Sequence, residues 1–200
     1  MPPRPHASRL PAARRREQLL DVALQVFGEL GFHPASMNDV AEAAGVTKPV
    51  LYQHFRSKRE LYKQVLTDVG QQLLDAITKA TAAAKSPHEQ VELGFIAYFR
   101  FVEGNEAAFR VLFGGGTRRD EEFAAQVALV EGAIADAIAA LIDVEELTGD
   151  QRRQIAHGMV GLAEGASRLW VAEGAEDPAE EVARLMADFA WRGLRAIRGA

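Results

Sequence analysis

Bond-making chemistry finds little support among the polar residues of this 200-residue chain. Its five histidines (His6, His33, His54, His88, His157) are scattered, no two stand four apart on one helix to share a metal, and no hydroxyl nucleophile has an evident base. Cysteine is absent, which removes thiolate nucleophiles, disulfides and Cys-ligated zinc or iron–sulfur sites. No catalytic residue, metal site or cofactor is therefore expected. Gly114-Gly115-Gly116 before Thr117-Arg118-Arg119 lacks the Lys-Ser/Thr ending of a phosphate loop and reads as a flexible connection. Phosphate and base recognition is better served, because Thr47, Lys48, Pro49, Tyr52, His54 and Lys58 fall within twelve residues. A phenol, an imidazole and an ammonium can each bond a phosphate oxygen.

Two short helices must position those groups. In SMNDVAEAAGVTKPVLYQHF, Ser36 and Asp39 have the spacing of an N-cap and its reciprocal partner, and Met37, Val40, Ala41 and Ala44 form an apolar face that Gly45 ends. Thr47 is the next N-cap, Pro49 sits in a first turn where its missing N–H does no harm, and Val46, Val50, Leu51 and Phe55 point inward. Two helices joined through Gly45-Val46 make a helix-turn-helix, whose second member can lay its first turn against base edges in a major groove. Ser57 with Glu60 forms a capping box opening a long fourth helix, whose N-terminus adds backbone N–H groups. Taken singly, each residue has a plainer use: Thr47 as a cap, Tyr52 half-buried, His54 solvated, Lys58 in a surface ion pair. Their common face argues for nucleic acid.

Charge agrees. From Met1 to Lys63 there are ten basic against six acidic residues, and thirteen against twenty-two in the remainder, so a basic third is joined to an acidic body. Residues 1–13, with Pro2, Pro3, Pro5 and Pro11, read as an extended arm, 14–60 as the DNA-binding unit and 61–200 as a helical body. Arg14, Arg15 and Arg16 open the first helix, where the macrodipole disfavours cations, so phosphate neutralisation suits them better than a stability role. Arg4 and Arg9 on the arm are placed to reach a minor groove. Further helices are expected near 88–103, 105–113, 120–142, 149–173 and 178–198, making the chain all-α. No apolar run approaches the roughly 20 residues of a membrane span and no leader pattern is seen, so a cytoplasmic protein without membrane partners is expected.

Over about residues 14–66 the sequence resembles the TetR family of bacterial transcriptional regulators. The resemblance is carried by a first helix ending in Phe27 then Gly31-Phe32, by Asp39-Val40-Ala41, Ala44-Gly45-Val46, Tyr52 with Phe55, and Ser57-Lys58. It departs from the commonest family pattern at Pro49, where a small residue is more usual. The resemblance implies that Thr47, Lys48 and Pro49 face bases, that Tyr52, His54 and Lys58 contact phosphates, and that Ser36 and Asn38 touch the backbone. It also implies a helical body forming a ligand pocket and a dimer interface.

In that body the last helix carries two apolar stripes, Val182/Leu185/Met186/Phe189/Gly193/Ile197 and Ala183/Ala187/Ala190/Trp191/Leu194. The helix before it lines up Gly158, Gly161 and Gly165, each costing about 0.8–1 kcal/mol against Ala, which suggests a close backbone neighbour. Gly158, Gly161, Gly165, Ala187, Trp191 and Leu194 are thus expected at a homodimer interface, the alternative being one larger core. Phe95, Phe99, Phe109, Phe113, Met159 and Trp170 are candidates to line a cavity for a small apolar ligand, or else ordinary core. The expected protein is a ligand-responsive homodimeric repressor binding a palindrome in double-stranded DNA. Two other classes stand beside it: a DNA-binding protein whose body docks a protein partner, and an enzyme, which the scattered histidines oppose.

Overall fold

Pro11 and the alanines after it start the first helix, α1 (Ala12–Leu30), in the computed structural model, which describes residues 11–197. Arg4 and Arg9 lie outside the described residues, and the helix begins two residues earlier than the expected boundary of the arm. Gly31 closes α1 at φ 79°, its N–H donating to the Phe27 carbonyl at 2.9 Å. Then come α2 (Met37–Ala43), α3 (Lys48–His54) and α4 (Lys58–Ala82). The body adds α5 (Pro87–Gly104), α6 (Glu106–Phe113), α7 (Gly115–Arg119), α8 (Glu121–Ala139), α9 (Gly149–Ala172) and α10 (Ala179–Ile197). The fold is all-α, with no strand among the described residues.

Capping fixes most boundaries. Ser36 and Asp39 make the full reciprocal box at α2, and Thr148 with Gln151 repeats it at α9. At α4 only half the box forms: the Ser57 hydroxyl accepts from the Glu60 N–H at 3.1 Å, but the Glu60 carboxylate turns to the Arg56 N–H at 2.8 Å. The glycine run 114–116 is not an open connection. A short helix forms there because Thr117, only 2% exposed, donates its hydroxyl to the Val111 carbonyl at 2.8 Å and anchors the segment from within.

One hydrophobic core runs from α1 to α10, with a small second cluster of Ala135, Ile142, Val144 and Ala156 at the far end of the body. α4 is its spine: Leu61 and Val65 close the core beneath α1–α3, while Leu73 and Ile77 lie among the body helices. Two glycines permit close helix crossings. A Cβ on Gly28 in α1 would stand 2.7 Å from the Ala107 Cα of α6, and one on Gly70 in α4 would stand 2.3 Å from a Val130 methyl of α8. Gly132, by contrast, faces open space. Gly28→Ala is therefore expected to lower the unfolding free energy by about 1–3 kcal/mol through overpacking. Gly132→Ala should raise it by up to about 1 kcal/mol through helix propensity. Urea denaturation of both variants checks the contrast.

Candidate nucleic-acid interface

Leu51 and Phe55, both fully buried, fix α3 to the core, and Val40 does the same for α2. Between them Gly45 takes φ 63°, and the Val46 N–H donates to the Ala41 carbonyl at 3.0 Å, the left-handed turn expected of this motif. With the apolar face spent, Thr47, Lys48, Pro49, Tyr52 and Gln53 stand on the outer side of α3, and Ser36 and Asn38 on the start of α2. Thr47 occupies the N-cap position but its hydroxyl makes no capping bond, so it is available to an incoming group. Ser36 is already engaged, donating to Asp39 at 2.8 Å. His54 is half-buried, its ring 6.3 Å from that of Phe55. Gln53 is the exposed neighbour that the motif pattern did not single out; its polar type and its place between Tyr52 and His54 were the available signal.

Two basic side chains are committed to the fold. The Lys58 ammonium donates to three carbonyls, those of Phe32 at 2.7 Å, His33 at 3.1 Å and Ala35 at 2.8 Å, and lies over the Phe32 ring at 4.5 Å. All three N–H bonds are used in tying the α1–α2 connection to α4. Arg16 donates to Gln64 at 2.8 Å and its guanidinium stands 5.1 Å from the Phe55 ring centroid, so it braces α1 against the helix-turn-helix. Arg15 bonds Gln18 on its own helix, and Arg14 is exposed. The arginine cluster is thus divided, and a stability role, discounted from the sequence, belongs to Arg16.

The unit is joined to the body through aromatic rings. Tyr62 packs against Phe27, Phe32 and Phe123 with centroids 5.0, 5.0 and 4.6 Å away, and its hydroxyl lies 2.6 Å from that of Thr117. Burial pushes the Tyr62 phenol upward, so it remains a neutral hydrogen-bonding group. Around the rim, Arg59 makes a bidentate contact with Asp120 and a further one with Glu122, which Lys63 shares. Those cations hold both carboxyls below their usual range.

Among α4, α5, α8, α9 and α10 lies an apolar cavity of ≈ 100 Å³. Phe95, Phe113 and Met159 line it as expected, beside Leu73, Ile77 and Ile134. Phe99, Phe109 and Trp170 do not: Phe99 is fully buried edge-on to Trp170 at 5.8 Å, Trp170 donates its indole N–H to the Asp177 carbonyl, and Phe109 is buried with its ring 5.3 Å from that of Phe113. Tyr98 also borders the cavity, its hydroxyl 3.0 Å from Ser167 Oγ and its phenol pushed far up by burial. Three carboxylates, Glu131, Asp143 and Glu164, line the wall, and Arg118 of α7 bonds the first and the last.

The stripes of α10 divide largely the other way from the expected one. Ala187 is buried within its own chain and Trp191 lines the cavity, while Leu194 borders both the cavity and, with Gly158 of α9, the groove on the outward side. The outward stripe carries Leu185 and Phe189, 65% and 68% exposed, beside Leu169 of α9 at 60%. Gly158, Gly161 and Gly165 are exposed on that face with nothing of their own chain within reach of an added Cβ. Ile155, Leu162, Phe189 and Gly193 border an apolar groove there.

A buried helix-turn-helix framework with an exposed polar outer side, joined to a helical body, defines a DNA-binding regulator. Residues 19–65 match the model of the bacterial regulatory proteins of the tetR family, and residues 87–193 that of the tetracyclin repressor-like C-terminal domain. The chain belongs to the TetR family of DNA-binding transcriptional regulators. It is similar to the HTH-type transcriptional activator FasR of Mycolicibacterium smegmatis, 34% identical over 191 residues covering 95% of this chain and 87% of that protein. A TetR-like transcriptional regulator from Rhodococcus sp. RHA1 superposes with a TM-score of 0.75 at 32% identity, over 94% of this chain and 99% of that one. FadR from Bacillus subtilis, crystallised with stearoyl-CoA, shares the fold with a TM-score of 0.74 at 16% identity, over 87% and 96%.

The cavity wall yields a pH test. Burial, and then the charge of Glu164, hold the Glu131 carboxyl above its ordinary value. The folded chain therefore binds this proton more tightly than the unfolded chain, and wild-type stability falls as pH rises from the ordinary glutamate range through the raised value. Glutamine cannot ionise and escapes that loss. Glu131→Gln should melt progressively higher relative to wild type as pH is raised from 4 to 8. A pH-independent difference between the two melting curves would contradict the assignment.

Proposed function

We propose that the protein is a homodimeric regulator that binds a palindromic operator and changes its affinity when a small apolar ligand fills the body cavity. The observation that carries this reading is α4: its first residue holds the α1–α2 connection, and its later residues Leu73 and Ile77 form the cavity wall. An occupant that shifts α4 alters the seating of the helix-turn-helix, and in a dimer the separation of two recognition helices, which must match about 34–36 Å for successive half-sites. An apolar hollow in the body supports a small ligand over a docked protein. The operator's place decides the sign: overlap with the polymerase site gives repression, an upstream site gives activation.

On DNA, Thr47, Lys48 and Pro49 are assigned to base edges, and Tyr52, His54, Ser36 and Asn38 to the backbone, with Gln53 added from its exposure. Arg14 and Arg15 serve phosphate neutralisation. Lys58 contributes through the N-terminus of α4, its ammonium being engaged elsewhere. With an operator selected from random duplexes, Lys48→Ala should cost about 1–3 kcal/mol and relax preference at one position per half-site, whereas Tyr52→Phe weakens every sequence alike. Equal losses on operator and random duplex for both variants would misplace the recognition face. The same operator tests responsiveness: saturating 1-dodecanol should weaken binding at least about tenfold, about 1.4 kcal/mol. An unchanged Kd with the alcohol demonstrably bound refutes ligand control.

The second copy is assigned to the outward face of α9 and α10, where Leu169, Leu185 and Phe189 are exposed and the α9 glycines permit close approach. Phe189→Glu removes no contact from the chain's own core. It should sediment as a folded monomer at micromolar concentration and lose roughly 10²-fold or more in operator affinity, since linked half-site binding raises the effective concentration of the second contact. A variant that remains dimeric would move the interface elsewhere.

A further inference from the structure

We propose that Arg118 is the positioning residue through which occupancy of the cavity reaches the DNA-binding unit; the inference rests on the ligand-responsive reading above. Its guanidinium bonds two carboxylates of the cavity wall, Glu131 at 3.4 Å and Glu164 more closely. The Glu164 side chain is only 9% exposed, and its other cation is Arg168 at 3.2 Å, on the outer surface of the same helix. A buried carboxylate that loses its partner is strongly disfavoured, so a guanidinium able to follow it does so. An occupant pressing on the wall between Glu131 and Glu164 therefore displaces Arg118 in preference to breaking the pair.

The segment that carries Arg118 is held at two points. α7 spans five residues, and its lead is fixed at Gly114, whose N–H donates to the Arg110 carbonyl at 2.9 Å, while Gly115 and Gly116 after it have open space beside them. Its buried contact is the residue next to Arg118: the Thr117 hydroxyl lies 2.6 Å from that of Tyr62, and both point to the Val111 carbonyl. Tyr62 belongs to α4 and packs against the tilted ring of Phe32, whose carbonyl accepts from the Lys58 ammonium at 2.7 Å. The contacts run without a gap from cavity wall to guanidinium, to α7, to Tyr62, to the connection that seats α2. Packed elements of this kind move between discrete arrangements, so a small displacement at one end is passed on whole.

The claim concerns coupling, and coupling is what must be measured. Operator affinity of the full-length protein is determined by fluorescence anisotropy with the cavity filled in two independent ways. One is Ala163→Phe, at a lining position adjoining Glu164; the other is a titration with 1-dodecanol, whose own binding is followed by calorimetry. In the wild-type background each occupant should weaken operator binding at least tenfold. In Arg118→Ala the same occupants should change it by no more than about a third of the wild-type factor, the remainder passing directly through α4, with dodecanol affinity and unfilled operator affinity both within threefold of wild type. Arg118→Lys, which keeps the charge, should restore part of the response, a result that a purely structural role would not produce. Should Arg118→Ala fail to fold, Thr117→Val cuts the next link and is expected to uncouple equally. A wild-type-sized response in Arg118→Ala or Thr117→Val overturns the role of Arg118 alone. A wild-type protein indifferent to both occupants, with dodecanol shown to bind, overturns ligand control and this inference with it.

Discussion

The side chains of α4 belong to both ends of one continuous core. Leu61 and Val65 complete the packing under α1, α2 and α3, and Leu73 and Ile77 belong equally to the body. A helix of 25 residues is about 37 Å long at 1.5 Å per residue, enough to run through both regions without a joint. What loosens one end is felt at the other, because outside the cavity the side chains of α4 are close-packed along its length. The DNA-binding surface depends on this: α2 and α3 have seven residues each, too short to persist in water alone, and keep their place through what they bury against α1 and α4.

Polar groups set the geometry that the apolar contacts leave open. Three carbonyls of the α1–α2 connection are gathered by the Lys58 ammonium, and the cation's place over the Phe32 ring adds a second hold. Thr117 plays the matching part on the body side, where one hydroxyl converts a run of glycines into a defined helical turn. The two anchors flank the same ring, Tyr62 with Phe32, so the junction between the units is fixed by a few directed bonds around an aromatic cluster.

Much of this was legible in the sequence. Apolar spacing and capping residues placed nine of the ten helices to within a few residues, and Gly45 announced its turn, because those signals are local. What failed was decided at long range. Three glycines in a row hide α7, since nothing in residue type shows that Thr117 is buried, bonded to the Val111 carbonyl and in contact with the Tyr62 hydroxyl 55 residues away. Both stripes of α10 are apolar, and which of them faces α5 depends on how the helices pack: the indole of Trp191 lines the chain's own cavity, and it is Phe189 of the other stripe that faces outward. Lys58 and Arg16 looked like phosphate ligands for the same reason, their partners Phe32, Ala35, Gln64 and Phe55 being distant in sequence or recognisable only by backbone geometry. Residue type and spacing show which groups could bind, and the packing decides which are left over to do so.

The ion pairs at the junction have a bearing on how binding data from this protein are to be interpreted. Arg59 and Lys63 meet Asp120 and Glu122 at the surface, where mobile ions screen such attractions over about 8–10 Å at moderate salt. Added electrolyte thus acts in two places, displacing the protein from phosphates and relaxing the clasp that holds α4 to α8. Plots of log affinity against log salt are ordinarily converted to a number of neutralised phosphates at roughly 0.9 per contact. For a molecule built this way the slope also contains the ions taken up as the clasp opens, so the apparent count exceeds the number of phosphates touched. Removing the clasp's charges while leaving every DNA-facing residue in place would separate the two contributions.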